Sequence, residues 1–140
     1  MILFCDTSAL VKLYISEIHS GLITGHLKEA EAVVVCRIAW AEAHAAFARR
    51  ARDVPADAAE IELVKKAFTA DWSRFVKLEV TQELVELAGD YADTFALRGY
   101  DSVQLAAAYE TFRITQLPTL FACFDLRLNK AAKALGMLCL

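Results

Sequence analysis

Residues 1–14 read MILFCDTSALVKLY. Ile2 to Cys5 is an unbroken apolar run of strand length without polar alternation, the pattern of a strand covered on both faces. Asp6 closes the run, Thr7 or Ser8 offers a helix cap, and Leu10, Val11, Leu13 and Tyr14 follow at helical spacing. A strand leading directly into a helix opens a βαβ unit and predicts an α/β fold with a parallel sheet.

The same alternation continues along the chain. Ser20 to Lys28 reads as a second helix, and Ala32 to Cys36, centred on Val33-Val34-Val35, as a second strand of β-branched residues. Ile38 to Arg52 carries Ile38, Ala41, Ala45 and Ala48 at helical spacing. Asp53-Val54-Pro55 breaks that helix, and Ile61, Val64, Phe68 and Trp72 mark the next, so the two form a hairpin. Val76 to Val80 predicts a short strand, and Leu84, Leu87, Ala88, Tyr91 and Phe95 an amphipathic helix. Leu97-Arg98-Gly99-Tyr100 reads as a loop, and Ser102 to Thr115 as an alanine-rich helix. Thr119 to Phe124 is a third strong strand, Leu126 to Leu135 a helix stopped by Gly136, and Met137 to Leu140 a final strand. The 140 residues are expected to form a single domain, 1–140, with no repeat or linker.

Four acidic residues sit at the boundaries of these elements. Asp6 and Asp125 end apolar strands, while Glu42 and Asp101 lie near helix starts. In a parallel α/β sheet such positions face one crevice at the carboxyl ends of the strands. Carboxylates gathered there repel one another unless a positive charge lies between them, and a hard divalent cation is the natural candidate. Oxygen-only donors without histidine or cysteine favour Mg²⁺ or Mn²⁺ over zinc.

Composition narrows the remaining classes. Hydrophobic residues make up 57% and charged residues 24%, which excludes a disordered chain. No apolar run approaches the roughly 20 residues of a membrane span, and there is no signal-peptide pattern, so a cytoplasmic location is expected. Cys5, Cys36, Cys123 and Cys139 lack paired spacing and read as buried free thiols. Net charge is −3, against the usual excess of Lys and Arg in a nucleic-acid binder. Setting aside the four candidate ligands from the 18 acids leaves 14 against 15 basic residues, which permits RNA without requiring it.

The segments FCDTSALVK from Phe4, Ala41-Glu42, LRGYDSVQLAAA around Asp101, and FDLRLNKAAKALG from Phe124 together resemble the PIN-domain nucleases, and among them the VapC-type toxins of toxin–antitoxin systems. The resemblance runs the length of the chain and matches all four acids in order and flanking residues. It implies a small three-layer α/β/α sandwich with a central parallel sheet, acting as a metal-dependent endoribonuclease. Asp6 and Asp101 would be the principal ligands of Mg²⁺ or Mn²⁺, with Glu42 and Asp125 completing the quartet directly or through water. The resemblance also implies hydrolysis of RNA phosphodiesters by a metal-activated water and inhibition by a cognate VapB-like antitoxin. A homodimer is a further expectation. One position departs from the pattern: the family often has Ser or Thr two residues before its last acid, and Cys123 stands there.

Other readings compete. Alone, Asp6 or Asp101 reads as a helix cap; Glu42, beside a buried stripe, does not. A catalytically weak PIN-like scaffold that binds RNA or protein is the alternative suggested by Cys123. Phosphotransfer through Asp6 would require, in the haloacid-dehalogenase pattern, a second Asp where this chain has Ser8. His19, His26 and His44 read as surface or packing residues, and Arg49, Arg50 and Arg52 as a solvated helix end. Arg98, Arg127 and Lys130 flank the acids and are candidate phosphate contacts. Trp40, Phe47, Phe68 and Trp72 either pack on each other across the hairpin or supply anchors for a partner.

Overall fold

A computed structural model describes residues 1–140. Five strands, β1 (Ile2–Cys5), β2 (Ala32–Cys36), β3 (Val76–Leu78), β4 (Thr119–Ala122) and β5 (Leu138–Cys139), form one parallel sheet in the order β3-β2-β1-β4-β5. The helices between them are α1 (Thr7–Val11), α2 (Ser20–Glu29), α3 (Ala39–Asp53), α4 (Ala58–Trp72), α5 (Gln82–Phe95), α6 (Gly99–Thr115) and α7 (Leu126–Ala134). None is long and apolar enough to cross a membrane.

Strand β1 is the centre of the sheet. Leu3 pairs with Val33 on one side and Leu120 on the other. Because successive strand residues point to opposite faces, the apolar run splits between two cores. Leu3 and Cys5 join Val35, Leu120, Leu10, Phe47, Ile61 and Phe68 beneath the layer of α1 to α4. Ile2 and Phe4 join Val34, Phe121, Leu84, Leu105 and Leu128 beneath α5 to α7. The result is the expected α/β/α sandwich, with both faces covered as an all-parallel sheet requires.

The order of strands fixes the position of the crevice. The chain lays down β1, β2 and β3 in one direction, then returns through α5 and α6 to place β4 on the opposite side of β1. The reversal lies between β1 and β4, and in open α/β sheets ligands bind outside the strand ends at such a switch point. Asp6 follows β1 and its N–H donates to the carbonyl of Ala122, the last residue of β4 (3.0 Å).

Several boundaries differ from those read in the sequence. Gly99 and Tyr100 belong to α6 rather than to the preceding loop, with Arg98 as the extended N-cap, which puts Asp101 inside the first turn. Strand β4 stops at Ala122, two residues early, because the chain beyond it turns into the cap of α7. Strand β5 is confined to Leu138 and Cys139, which pair with Leu120 and Phe121 at the sheet edge. Gly136, at φ +91°, supplies the left-handed turn that ends α7.

The two aromatic-rich helices form the expected hairpin. Phe47 and Phe68 are fully buried with ring centroids 5.5 Å apart, and Trp40 lies 5.3 Å from Phe68 and 5.2 Å from Trp72. These rings pack on one another, with Trp40 half-exposed at the edge of the cluster. Arg50 pairs with Asp57 across the turn (3.1 Å).

Candidate active site

Asp6 stands at the N-cap of α1, where a carboxylate ordinarily accepts a backbone N–H, yet its side chain makes no capping bond. It accepts the Ser8 hydroxyl instead (2.7 Å). The side chain is almost fully buried, and burial, reinforced by the charges of Glu42 and Asp101 and opposed by Ser8, pushes its pKa up to about 6. The capping role read for Thr7 or Ser8 is likewise not what their hydroxyls do. Thr7 donates to Glu42 Oε1 (2.8 Å) and Ser8 to Asp6.

Glu42 comes from the first turn of α3 and is held by residues distant in sequence. Its Oε1 accepts from Thr7 and from the amide Nε2 of Gln104 (2.8 Å). Asp101, in the first turn of α6, has its pKa raised by partial burial and by Asp125, with Arg98 opposing. Asp125 is the true helix cap among the four: its Oδ1 accepts the backbone N–H of Leu128 (2.8 Å). The cap reading considered for Asp6 and Asp101 therefore belongs to Asp125.

The four acids thus share one electrostatic neighbourhood, Asp6 with Glu42 and Asp101, and Asp101 with Asp125. None of them forms an ion pair with a Lys, Arg or His side chain. Asp6 is buried, Glu42 and Asp101 are half-buried and Asp125 is exposed, and a carboxylate withdrawn from water without an ion-pair partner is costly. The donors on offer are carboxylate and hydroxyl oxygens. Burial raises the pKa of the nearby Cys123 and Cys36 thiols, and soft sulfur is in any case a poor donor for a hard cation. This donor chemistry fits a hard divalent cation. No group of three or more His, Cys, Asp or Glu side chains is set to hold a metal by itself; an ion held by one or two of these carboxylates would draw its other ligands from water and substrate phosphate.

Cys123 is buried between the acids. Its Sγ accepts the N–H of Asp125 (3.3 Å) and lies close enough to Asp6 to interact with it. The thiol thus takes part in the β4–α7 turn as a weaker partner than a hydroxyl would be.

Two openings meet at Asp101. One is a 660 Å³ cavity between α5 and α6, floored by Val85, Ala88, Gly89 and Ala92, with Glu42, Asp101 and Arg98 in its wall and Tyr100 on its rim. Tyr100 is 69% exposed. The other is a 400 Å³ cavity lined by Arg98, Asp101, Phe124, Asp125 and Arg127. Arg98 lines both. Arg127 donates to the Ala96 carbonyl (3.0 Å), which fixes its head at the second opening, whereas Lys130 lines neither.

The histidines stay out of the acid cluster. His19 stacks on Phe124 (5.3 Å), and His44 packs among Trp40, Phe47 and Phe68. Sequence reading passed over Gln104, whose site contact depends on contacts spanning 62 and 97 residues, and Lys12, whose ammonium lies 4.9 Å over the Phe124 ring. The only sequence signal for Gln104 was an amide inside an otherwise alanine-rich buried stripe.

Comparison with known proteins converges on one family. The PIN domain family model matches residues 3–134. Ribonuclease VapC45 of Mycobacterium tuberculosis is 30% identical over 135 residues, covering 96% of this chain and 92% of its own length. Among solved structures, VapBC2 from Rickettsia felis, bound to a DNA fragment from its promoter, aligns with a TM-score of 0.66 at 11% identity over 100% of this chain and 98% of that one. A toxin–antitoxin complex from Klebsiella pneumoniae aligns with a TM-score of 0.58 at 17% identity over 86% of this chain and 84% of that one. At these identities the structural likenesses speak to fold.

Proposed function

The chain belongs to the PIN-domain family, and from that premise we propose that it is a metal-dependent endoribonuclease, the toxin of a toxin–antitoxin pair. The observation that supports this reading is the electrostatic neighbourhood shared by Asp6, Glu42, Asp101 and Asp125 at the β1–β4 switch point, where none of them has an ion-pair partner and Arg98 eases the charge of Asp101 alone. A relative of nearly the same length that is named a ribonuclease supports it.

Asp6 and Asp101 are the residues we assign to hold Mg²⁺ or Mn²⁺, with Glu42 and Asp125 acting directly or through water. Such an ion, when bound, would acidify and orient a water and offset charge on the phosphodiester. The protein's part is positional and electrostatic. Glu42 keeps Oε2 without a protein donor, and this oxygen, or the carboxylate of Asp125, would take the proton of the attacking water. Arg98 and Arg127, at the two openings, are suited to neighbouring phosphates of the RNA strand. Tyr100 offers an exposed ring on which an unpaired base can stack.

Inhibition by a VapB-like antitoxin belongs to the same reading. A basic side chain entering the crevice would supply the missing positive charge and block RNA at once. The toxin–antitoxin complexes of like fold support a partner of this kind. We further propose a homodimer working in the cytoplasm, where the free thiols stay reduced.

The test is RNA cleavage by purified protein in Mg²⁺ or Mn²⁺ beside Asp101→Asn. Cleavage by the wild type, abolished by EDTA and reduced at least about 100-fold in the variant, is the expected result. Equal cleavage by both proteins would sink the reading.

A further inference from the structure

Gln104 lies on the buried side of α6 and is wholly inaccessible to solvent at 0% exposure. Its Nε2 donates to Glu42 Oε1 (2.8 Å) and to Thr7 Oγ1 (3.1 Å), and Thr7 Oγ1 donates in turn to the same Glu42 Oε1 (2.8 Å). The single hydroxyl proton of Thr7 goes to Glu42, and the Nε2 amide group donates to Glu42 Oε1 and to the Thr7 lone pair, two acceptors that lie 2.8 Å apart. The three residues close a ring around one carboxylate oxygen. This also fixes the orientation of the amide, since its carbonyl placed against the carboxylate would meet only acceptor charge.

The ring leaves Gln104 Oε1 buried with no hydrogen-bond partner. An unpaired buried carbonyl costs stability, and an apolar side chain of the same length would avoid that cost. Thr7 begins α1, Glu42 belongs to α3 and Gln104 to α6, so the ring ties three elements at one point. A glutamate side chain otherwise has several rotamers, and ordering it at the moment of reaction would add to the barrier.

We propose that Gln104 is a positioning residue of this site: with Thr7 it clamps Glu42 Oε1, so that Oε2 alone is left to act on water or a bound cation. This rests on reading the crevice as the nuclease site. The arrangement trades local stability for a carboxylate already set in place.

The experiment compares Gln104→Met, Thr7→Val and the double variant in kcat, KM and thermal stability, together with hydrogen exchange of the Gln104 side-chain amide in the wild type. Gln104→Met keeps length and removes both the donors and the unpaired acceptor. We expect its melting temperature to be retained or raised, its kcat to fall about 10- to 100-fold, and KM for RNA to stay within about twofold. Thr7→Val should lower kcat similarly, and the double variant should fall no further than either, because the two act as one unit. The amide protons of Gln104 should exchange slowly in the wild type and quickly in Glu42→Ala. Wild-type kcat in a folded Gln104→Met protein, additive losses in the double variant, or free-amide exchange in the wild type would each overturn the clamp. If wild type and Asp101→Asn alike cleave no RNA, the nuclease reading fails by itself, and the exchange measurement still decides the clamp.

Discussion

At the residue scale, Asp6 carries the clearest electrostatic signature. Its folded pKa of about 6 lies above the ordinary Asp value of about 4, chiefly through burial and then through Glu42 and Asp101. A raised folded pKa means that the native state binds the proton more tightly than the unfolded state. Stability is therefore greatest below the unfolded pKa and is lost as pH rises through about 6. For metal-free protein, Asp6→Asn should be more stable than wild type at pH 7.5, by up to about 3 kcal/mol, with the difference vanishing near pH 4. Urea melts across that range in EDTA check the sign; an advantage that grows toward low pH would contradict it. Tyr100, exposed on the rim of the larger cavity, belongs to the same scale. Its replacement by Ala should weaken single-stranded RNA binding by about 1–3 kcal/mol, measured as KM or Kd, while leaving the melting temperature in place.

At the scale of elements, helix α7 separates a structural duty from a chemical one. Asp125 both caps this helix through Leu128 and faces Asp101. Asp125→Ala should lose the cap, costing about 1 kcal/mol, together with cleavage. Asp125→Asn keeps a capping oxygen, so a stable protein with reduced cleavage is expected. Full cleavage by the Asn variant would leave Asp125 with the cap alone. The hairpin of α3 and α4 supplies a contrasting case. Phe68 is fully buried among Trp40, Phe47 and Trp72, in the core beneath α1 to α4. Phe68→Ala should cost about 3–5 kcal/mol in denaturant melts without changing kcat of the folded fraction.

At the scale of the whole molecule, the two cores leave the acidic crevice as an unresolved electrostatic cost at the switch point of the sheet. A cation that binds only the folded state repays part of it. Mn²⁺ at about 100 times its Kd should stabilise the wild type by about 2.7 kcal/mol at neutral pH. The double variant Asp6→Asn, Asp101→Asn should show no such shift in differential scanning calorimetry; an equal shift would place the ion elsewhere.

The apolar runs Ile2–Cys5, Ala32–Cys36 and Leu120–Phe124, with helical spacing between them, determined the layered α/β fold, because local periodicity reflects which faces are buried. The acids were singled out for a related reason: residues that end the strands of a parallel sheet, and those that open the helices after them, have one crevice to share. What each acid does there was not legible. That Asp125 rather than Asp6 caps a helix depends on backbone angles at the strand exit, since Asp is suited to either use. That Glu42 is held by Thr7 and Gln104 depends on three elements meeting across 35, 62 and 97 residues of separation. Sequence patterns record burial and local geometry, whereas the partner of a buried polar atom is chosen only when distant elements pack.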